Sequence, residues 1–244
     1  MDFQPSVFFE ALTSPAFFSG VRLTIGLTVV AMVFGLLLGL VLALLRGSRL
    51  GVLRGAAWVY IWIFRAIPTL VLLLFVWDAL PQLFPFLKGD WFNAFVAASI
   101  ALSLNEAAYA AEVFRGGLLS IDEGQRLAAR ALGMPPGKVF SKVIAPQLIR
   151  VTIPPLSNDF ITMLKITSLA SVISLQELLA RTETIIASTF RFVEYYSAAA
   201  IYYIVLVSIF MVLQAQLEKR FVWSSQPAAE GVTLARRFRQ LALR

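Results

Sequence analysis

Gly116-Gly-Leu-Leu-Ser-Ile-Asp-Glu-Gly-Gln-Arg-Leu-Ala-Ala-Arg-Ala-Leu-Gly-Met-Pro-Pro136, continuing to Ile153, is the stretch whose reading decides the fold. It joins two long apolar runs, yet its own pattern is helical. Ser120-Ile-Asp-Glu123 reads as a capping box, in which the Ser120 hydroxyl accepts from a first-turn N–H and Glu123 reaches back to the cap. A helix is expected from Gly124 through Leu132. Gly133 is placed to end it in a left-handed cap, and Pro135 and Pro136 block continuation. A second short helix is expected over about Lys138 to Ile144, ended near Pro146. The first helix gathers Gly124, Leu127, Ala128 and Ala131 on one face, with Arg126 and Arg130 on another. Small residues on an exposed helix let another protein's backbone come close. An amphipathic helix resting on its own membrane domain is the alternative, and composition favours neither.

Outward from this stretch, the chain is written for a bilayer. Of its 244 residues 59% are hydrophobic and only 14% charged, with mean hydropathy +0.80, whereas soluble domains carry about 25% charged residues. Apolar runs cover about Val21–Leu45, Ala56–Leu80, Trp91–Phe114, Pro154–Leu179 and Ser197–Leu217. Each holds about 20 residues or more, which at 1.5 Å per residue crosses a hydrocarbon core of about 30 Å. The expectation is an all-α membrane protein of about five transmembrane helices, one membrane domain over 1–220 with its loop at about 116–153, and a basic tail over 221–244. Pro154 and Pro155 suit the first turn of the fourth span. The first run is too long for a signal-peptide core and lacks an A-x-A site, so no cleavable signal is expected.

The net charge of +7 follows membrane topology better than nucleic-acid binding, because the basic residues sit in short connections. Arg46, Arg49 and Arg54 follow the first span; Arg115, Arg126, Arg130, Lys138, Lys142 and Arg150 follow the third; Lys219, Arg220, Arg236, Arg237, Arg239 and Arg244 follow the last. The opposite side holds only Arg22, Lys88, Arg181 and Arg191. The richer side is read as cytoplasmic, with the N-terminus outside and the C-terminus inside. Trp58, Trp62, Trp77, Trp91 and Trp223 lie near span ends as interfacial anchors. Gly35 and Gly39 form a G-x-x-x-G, read first as the glycine tolerance of membrane helices and second as a helix-contact face. Beyond Gln226 the tail reads as a basic amphipathic segment. The chain has no Cys and no His, which removes thiolate zinc sites, haem-ligating histidines and Cys-His or Ser-His-Asp hydrolases; no catalytic or metal set is predicted.

Charged groups inside spans face a bundle interior or a watery cavity, since exposure at the bilayer centre costs at least about 2.5–3.5 kcal/mol. Glu106 and Glu112 fall in the third span; Asn158, Asp159 and Lys165 fall in the fourth. Asn158, Ile161 or Thr162, Lys165 and Ser168 share a face by helical spacing, and Lys165 falls near the midplane. Glu106 is expected either to pair with Lys165 or to touch a transported solute, pairing being the leading expectation. Glu112 and Arg115 are expected to pair or to anchor a phosphate.

Gly124-Gln125-Arg126-Leu127-Ala128-Ala129-x-x-x-Gly133, then nine residues, then Val143-x-Ala145-Pro146, resembles the E-A-A-x3-G-x9-I-x-L-P loop of bacterial ABC importer permeases. Phe64-Arg65-Ala66-Ile67-Pro68-Thr69-Leu70 resembles the F-R-G-T-P-L-L segment of the polar amino acid subfamily. Tyr109-x-x-Glu112-x-x-Arg115-Gly116-Gly117 and Lys165-Ile166-Thr167-Ser168-Leu169 resemble further blocks of it. The likeness covers roughly residues 20–220. Leu127, Ala145 and Ile166 depart from the Glu, Leu and Asp usual there.

The resemblance implies a type I importer: two permeases, identical or not, two cytoplasmic ATPases and an external solute-binding protein, in a bacterial inner membrane. Gly124, Leu127, Ala128, Ala129, Gly133 and Pro146 would form the coupling region seated in an ATPase cleft. Asn158, Asp159, Lys165, Ser168 and Glu106 are the substrate-pathway candidates. No cofactor is expected on this chain; without a G-x-x-x-x-G-K-[ST] motif, ATP and Mg belong to the partner. An ion-coupled secondary transporter and an ABC permease for another small solute, such as an opine, are the alternatives. An intramembrane enzyme is disfavoured by the lack of His and Cys.

Overall fold

Alanine and glycine decide how closely the helices of this chain meet. The fold is taken from a computed structural model that describes residues 3–221; Trp223 and the tail expected beyond Phe221 lie outside the described residues. In chain order the helices are α1 (Pro5–Thr13), α2 (Pro15–Arg46), α3 (Gly51–Ala66), α4 (Thr69–Leu83), α5 (Ala94–Ser120), α6 (Glu123–Ala131), α7 (Pro136–Ile173, its last turns 3-10 from Thr167), α8 (Leu178–Thr189) and α9 (Phe192–Phe221). Among the described residues all regular structure is helical. Three helices, α2, α5 and α9, are long and apolar enough to cross a membrane, and the bent pairs α3–α4 and α7–α8 bring the number to five if each is one span.

The α2–α5 pair is the spine. Ala97, Ala98, Ala101, Ala107, Ala108, Ala110 and Ala111 of α5 are buried. Gly35 and Gly39 of α2 lie directly on that face: a Cβ on Gly39 would fall 2.7 Å from the Ala110 Cβ and 3.0 Å from the Ala107 carbonyl. The G-x-x-x-G is therefore a helix-contact face, contrary to the leading expectation. Without a hydrophobic drive between helices in lipid, close backbone approach supplies the dispersion contacts.

Two spans differ from the expected straight helices. The second breaks by 105° between α3 and α4, at Ile67-Pro68: proline disfavours helical geometry in the residue before it, and Ile67 is extended. The fourth begins far upstream of Pro154, at Pro136, and carries Pro154 and Pro155 in its interior. Interior prolines persist in membrane helices where neighbours re-satisfy the freed backbone groups. Downstream, α8 is bent from the α7 axis by 47° and is pinned by buried Glu177, whose carboxylate accepts from Leu179 N and Ala180 N (2.9 and 2.8 Å) and from the Tyr203 hydroxyl (3.1 Å). The short α1 is tied to α9, where the Tyr202 hydroxyl donates to the Leu12 carbonyl at 2.7 Å.

Candidate functional site

The loop helix α6 forms from local signals, though not all those expected. Its N-cap is Asp122, whose Oδ1 accepts from Gly124 N at 2.6 Å. Ser120 does not cap it: this residue still belongs to the last turn of α5 and its hydroxyl donates to the Gly117 carbonyl at 2.8 Å. The α5 helix outlasts its apolar run by more than a turn, so the cap moves two residues on. The C-terminal end is as expected. Gly133 has φ +76°, Gly133 N donates to Arg130 O (2.9 Å) and Met134 N to Ala129 O (3.1 Å), closing the last turn in a left-handed cap.

Of the candidate coupling residues, Gly124, Leu127, Ala128 and Gly133 are exposed, as is Ala131 on the same face. Ala129 is not on this outer face. It is buried against Ile121, Val139, Ile144 and Leu148 and seats the helix on the bundle. Two polar clamps add to the seat: Gln147 Nε2 donates to Gln125 Oε1 (2.6 Å), and Arg126 donates to the Leu118 carbonyl (3.3 Å). Pro146 does not end a helix. The preceding turn, Phe140–Ile144, is π-helical, and the widened turn lets the chain run through Pro146 into the rest of α7. The α6 helix is thus joined rigidly to both neighbours and bare on its far side.

The second group lies midway along the bundle. Gly117 of α5 meets Leu148 and Thr152 of α7, each 2.8 Å from where a Cβ would stand. From that contact, Glu106 on α5 and Lys165 on α7 lie roughly 16–20 Å along at 1.5 Å per residue. Asn158 and Lys165 are exposed on one face of α7, with Thr162 between them and Ser168 beyond, both half-buried. Ile161 is buried and off this face. Thr162 and Ser168 turn their hydroxyls back to the carbonyls of Asn158 and Lys165 (3.1 and 2.7 Å). Glu106 is 5% exposed and packs on Gly35. The expected Glu106–Lys165 pair is not formed among the described residues, whose ion pairs are Glu112–Arg115 (2.7 Å) and Arg191–Glu194 (3.2 Å). Glu106 Oε1 has no hydrogen-bond partner among the described residues, and Asp159 is half-buried. Helix geometry explains the split: Asp159 is one residue, about 100°, round from Asn158. The candidates therefore form an open polar stripe, with buried Glu106 and half-buried Asp159 off it.

The segment at residues 64–70 was singled out for its resemblance, but the α3–α4 break within it was not expected. Asn105 Nδ2 donates to the Phe64 carbonyl at 3.1 Å, and the Tyr60 hydroxyl donates to the Leu104 carbonyl at 2.9 Å. These bonds fix the break beside Glu106, and Arg65 lies over the Tyr109 ring at 5.5 Å. The signal was present: a proline in an apolar run marks a broken helix, and broken helices at mid-depth mark solute sites in transporters.

Comparison with known proteins adds the following. The family described as "Binding-protein-dependent transport system inner membrane component" matches residues 35–223. The arginine transport system permease protein of Corynebacterium glutamicum is 41% identical over 208 residues, covering 81% of this chain; the match spans 66% of that relative's length. The octopine transport system permease protein of Rhizobium radiobacter is 39% identical over 214 residues, 84% of this chain and 85% of that one. A crystal structure of an amino acid ABC transporter with histidines superposes with a TM-score of 0.78 at 36% identity, covering 90% of this chain and 99% of that one.

Proposed function

The chain belongs to the family of binding-protein-dependent transport system inner membrane components, and on that premise we propose that it is the permease subunit of an ATP-binding-cassette importer for polar amino acids. The reading carries the partners of such a system: a second permease, identical or related, two cytoplasmic ATPases that hold the ATP and Mg, and an external solute-binding protein. The α6 end of the bundle faces the cytoplasm of a bacterial cell and the N-terminus lies outside, because the arginine-rich connections gather at the α6 end.

The observation that carries the proposal is the mounting of α6. A helix capped at both ends, seated through Ala129 and clamped through Gln125 and Arg126, moves with α5 and α7 as one body. Its bare face, Gly124, Leu127, Ala128 and Ala131, is where an ATPase cleft would grip. Closure of the ATPase dimer would then rock the permeases between inward-open and outward-open states.

A zwitterion requires a cation and an anion or oriented dipoles. On this reading Lys165 meets the carboxylate, and Asn158, Asp159 and Glu106 serve the ammonium end, with Ser168 at the edge of the stripe. Relatives named for arginine and octopine support a solute of the amino acid or opine class. The test is purification of the assembled complex: an ATPase should co-purify, and its hydrolysis should rise on adding the binding protein. Uptake driven by an ion gradient in vesicles without ATP would favour a secondary transporter and defeat the proposal.

A further inference from the structure

Where α2 ends, α5 ends and α6 begins, three arginines from three helices converge on one notch of about 510 Å3. Arg46 closes α2, Arg115 lies near the end of α5 and Arg126 sits in α6, with Glu123 as the acid in the lining. Arg115 is already paired with Glu112. Arg126 gives one N–H to the Leu118 carbonyl, but its Nε, like that of Arg46, is buried with no partner among the described residues. Guanidinium donors withdrawn from water call for an acceptor. A smaller adjoining notch of about 260 Å3 is lined by Arg126 and Arg130, so the positive field extends beyond one cavity.

We propose that this notch binds the phosphate of an anionic phospholipid headgroup, wedged between the bundle and the loop helix. Phosphate suits a cluster of forked guanidinium donors, and basic pockets between membrane helices at the cytoplasmic surface take anionic headgroups. A lipid, rather than free phosphate, fits the walls: Leu119 in the lining is 72% exposed and Leu44, beside the adjoining notch, is 45% exposed. These offer an apolar surface for acyl chains directly beside the charges. A lipid held there would touch α2, α5 and α6 together and so stiffen the attachment of the loop helix.

The test uses the purified complex, stripped of lipid and incubated with phosphatidylglycerol, phosphatidylcholine or inorganic phosphate, with retained adducts measured by native mass spectrometry. Phosphatidylglycerol should be retained and phosphatidylcholine lost. The double substitution Arg46→Gln with Arg126→Gln should weaken retention roughly twenty-five-fold, at about fivefold for each cation removed from an anionic surface. Arg46→Lys with Arg126→Lys keeps the charge and should fall between, which separates lost binding from lost folding. The pair Arg49→Gln with Arg54→Gln, in the neighbouring connection and the first turn of α3, should retain the lipid as the native chain does. Equal loss in that control would reduce the effect to general surface charge and overturn the site. Undiminished retention in the Arg46 and Arg126 variant would overturn it as well. Displacement by inorganic phosphate at equal concentration would reassign the notch to the free anion and overturn the lipid.

Discussion

The loop helix α6 and the polar stripe of α7 are both exposed faces carrying candidate functional residues, but they are specified in opposite ways. The α6 helix is bounded within about a dozen residues, with Asp122 capping one end and Gly133 at φ +76° the other, and its seat through Ala129 lies on the adjoining turns of α7. The stripe of Asn158, Thr162 and Lys165 has no local device of that kind. Its position is set by how α7 packs on α5, through Gly117, and by how α5 packs on α2, through Gly35 and Gly39. A lever is specified locally, and a pathway by the whole bundle.

The largest expected effect breaks the second half of that contrast. Gly39→Leu forces a side chain into the Ala107–Ala110 backbone and should destabilise the bundle by about 3 kcal/mol or more, since overpacking a tight contact has no relief. Gly26→Leu, on the same helix but with nothing within 4 Å, should be tolerated. Thermal unfolding of the two in detergent decides it, and equal melting would mean that α2 and α5 do not touch as described.

Next in size is the stripe itself. Lys165→Met and Asn158→Ala should lower uptake about tenfold or more, because a hydrogen bond to a charged solute is worth about 1.5–3 kcal/mol. Both residues are exposed in this chain, so the amount of assembled complex should hold. Unchanged transport constants in both variants would remove α7 from the pathway.

Smaller effects sharpen the first half. Gly133→Val must place a branched side chain at a left-handed position and should cost about 1–2 kcal/mol locally. Asp122→Ala should cost about 1 kcal/mol as a lost cap, and Ser120→Ala less than about 0.5 kcal/mol, being outside the cap. Hydrogen exchange over residues 123–131 ranks the three. A Ser120 variant frayed as much as the Asp122 variant would restore Ser120 as the cap.

These differences follow what local sequence can encode. The Gly133 stop, the exposed Leu127–Ala128 face and the membrane-spanning runs were legible because caps, prolines and hydropathy act within a few residues. The capping box was misplaced because α5 continues more than a turn beyond its apolar run, to Ser120, a length no short motif encodes. Pro146, Pro154 and Pro155 were read as helix boundaries, yet the π turn and bilayer packing carry α7 through them. Glu106 and Lys165 were expected to pair because both are charged groups within spans. The packed bundle instead leaves Lys165 exposed and Glu106 buried, with no ion pair between them among the described residues. The break at Pro68 was legible and passed over, because apolar composition alone suggested one straight span.

The central claim is that the bare face of α6 is gripped by a separate ATPase while Ala129 holds the helix to the bundle. The chain contains no cysteine, so each single substitution gives it one thiol from which cross-links can be assigned. Leu127→Cys, 58% exposed, should cross-link to the ATPase subunit, and Ala129→Cys, at 5%, should not. Cross-linking of Ala129→Cys with none from Leu127→Cys, or none from either in a complex that hydrolyses ATP, would contradict the account.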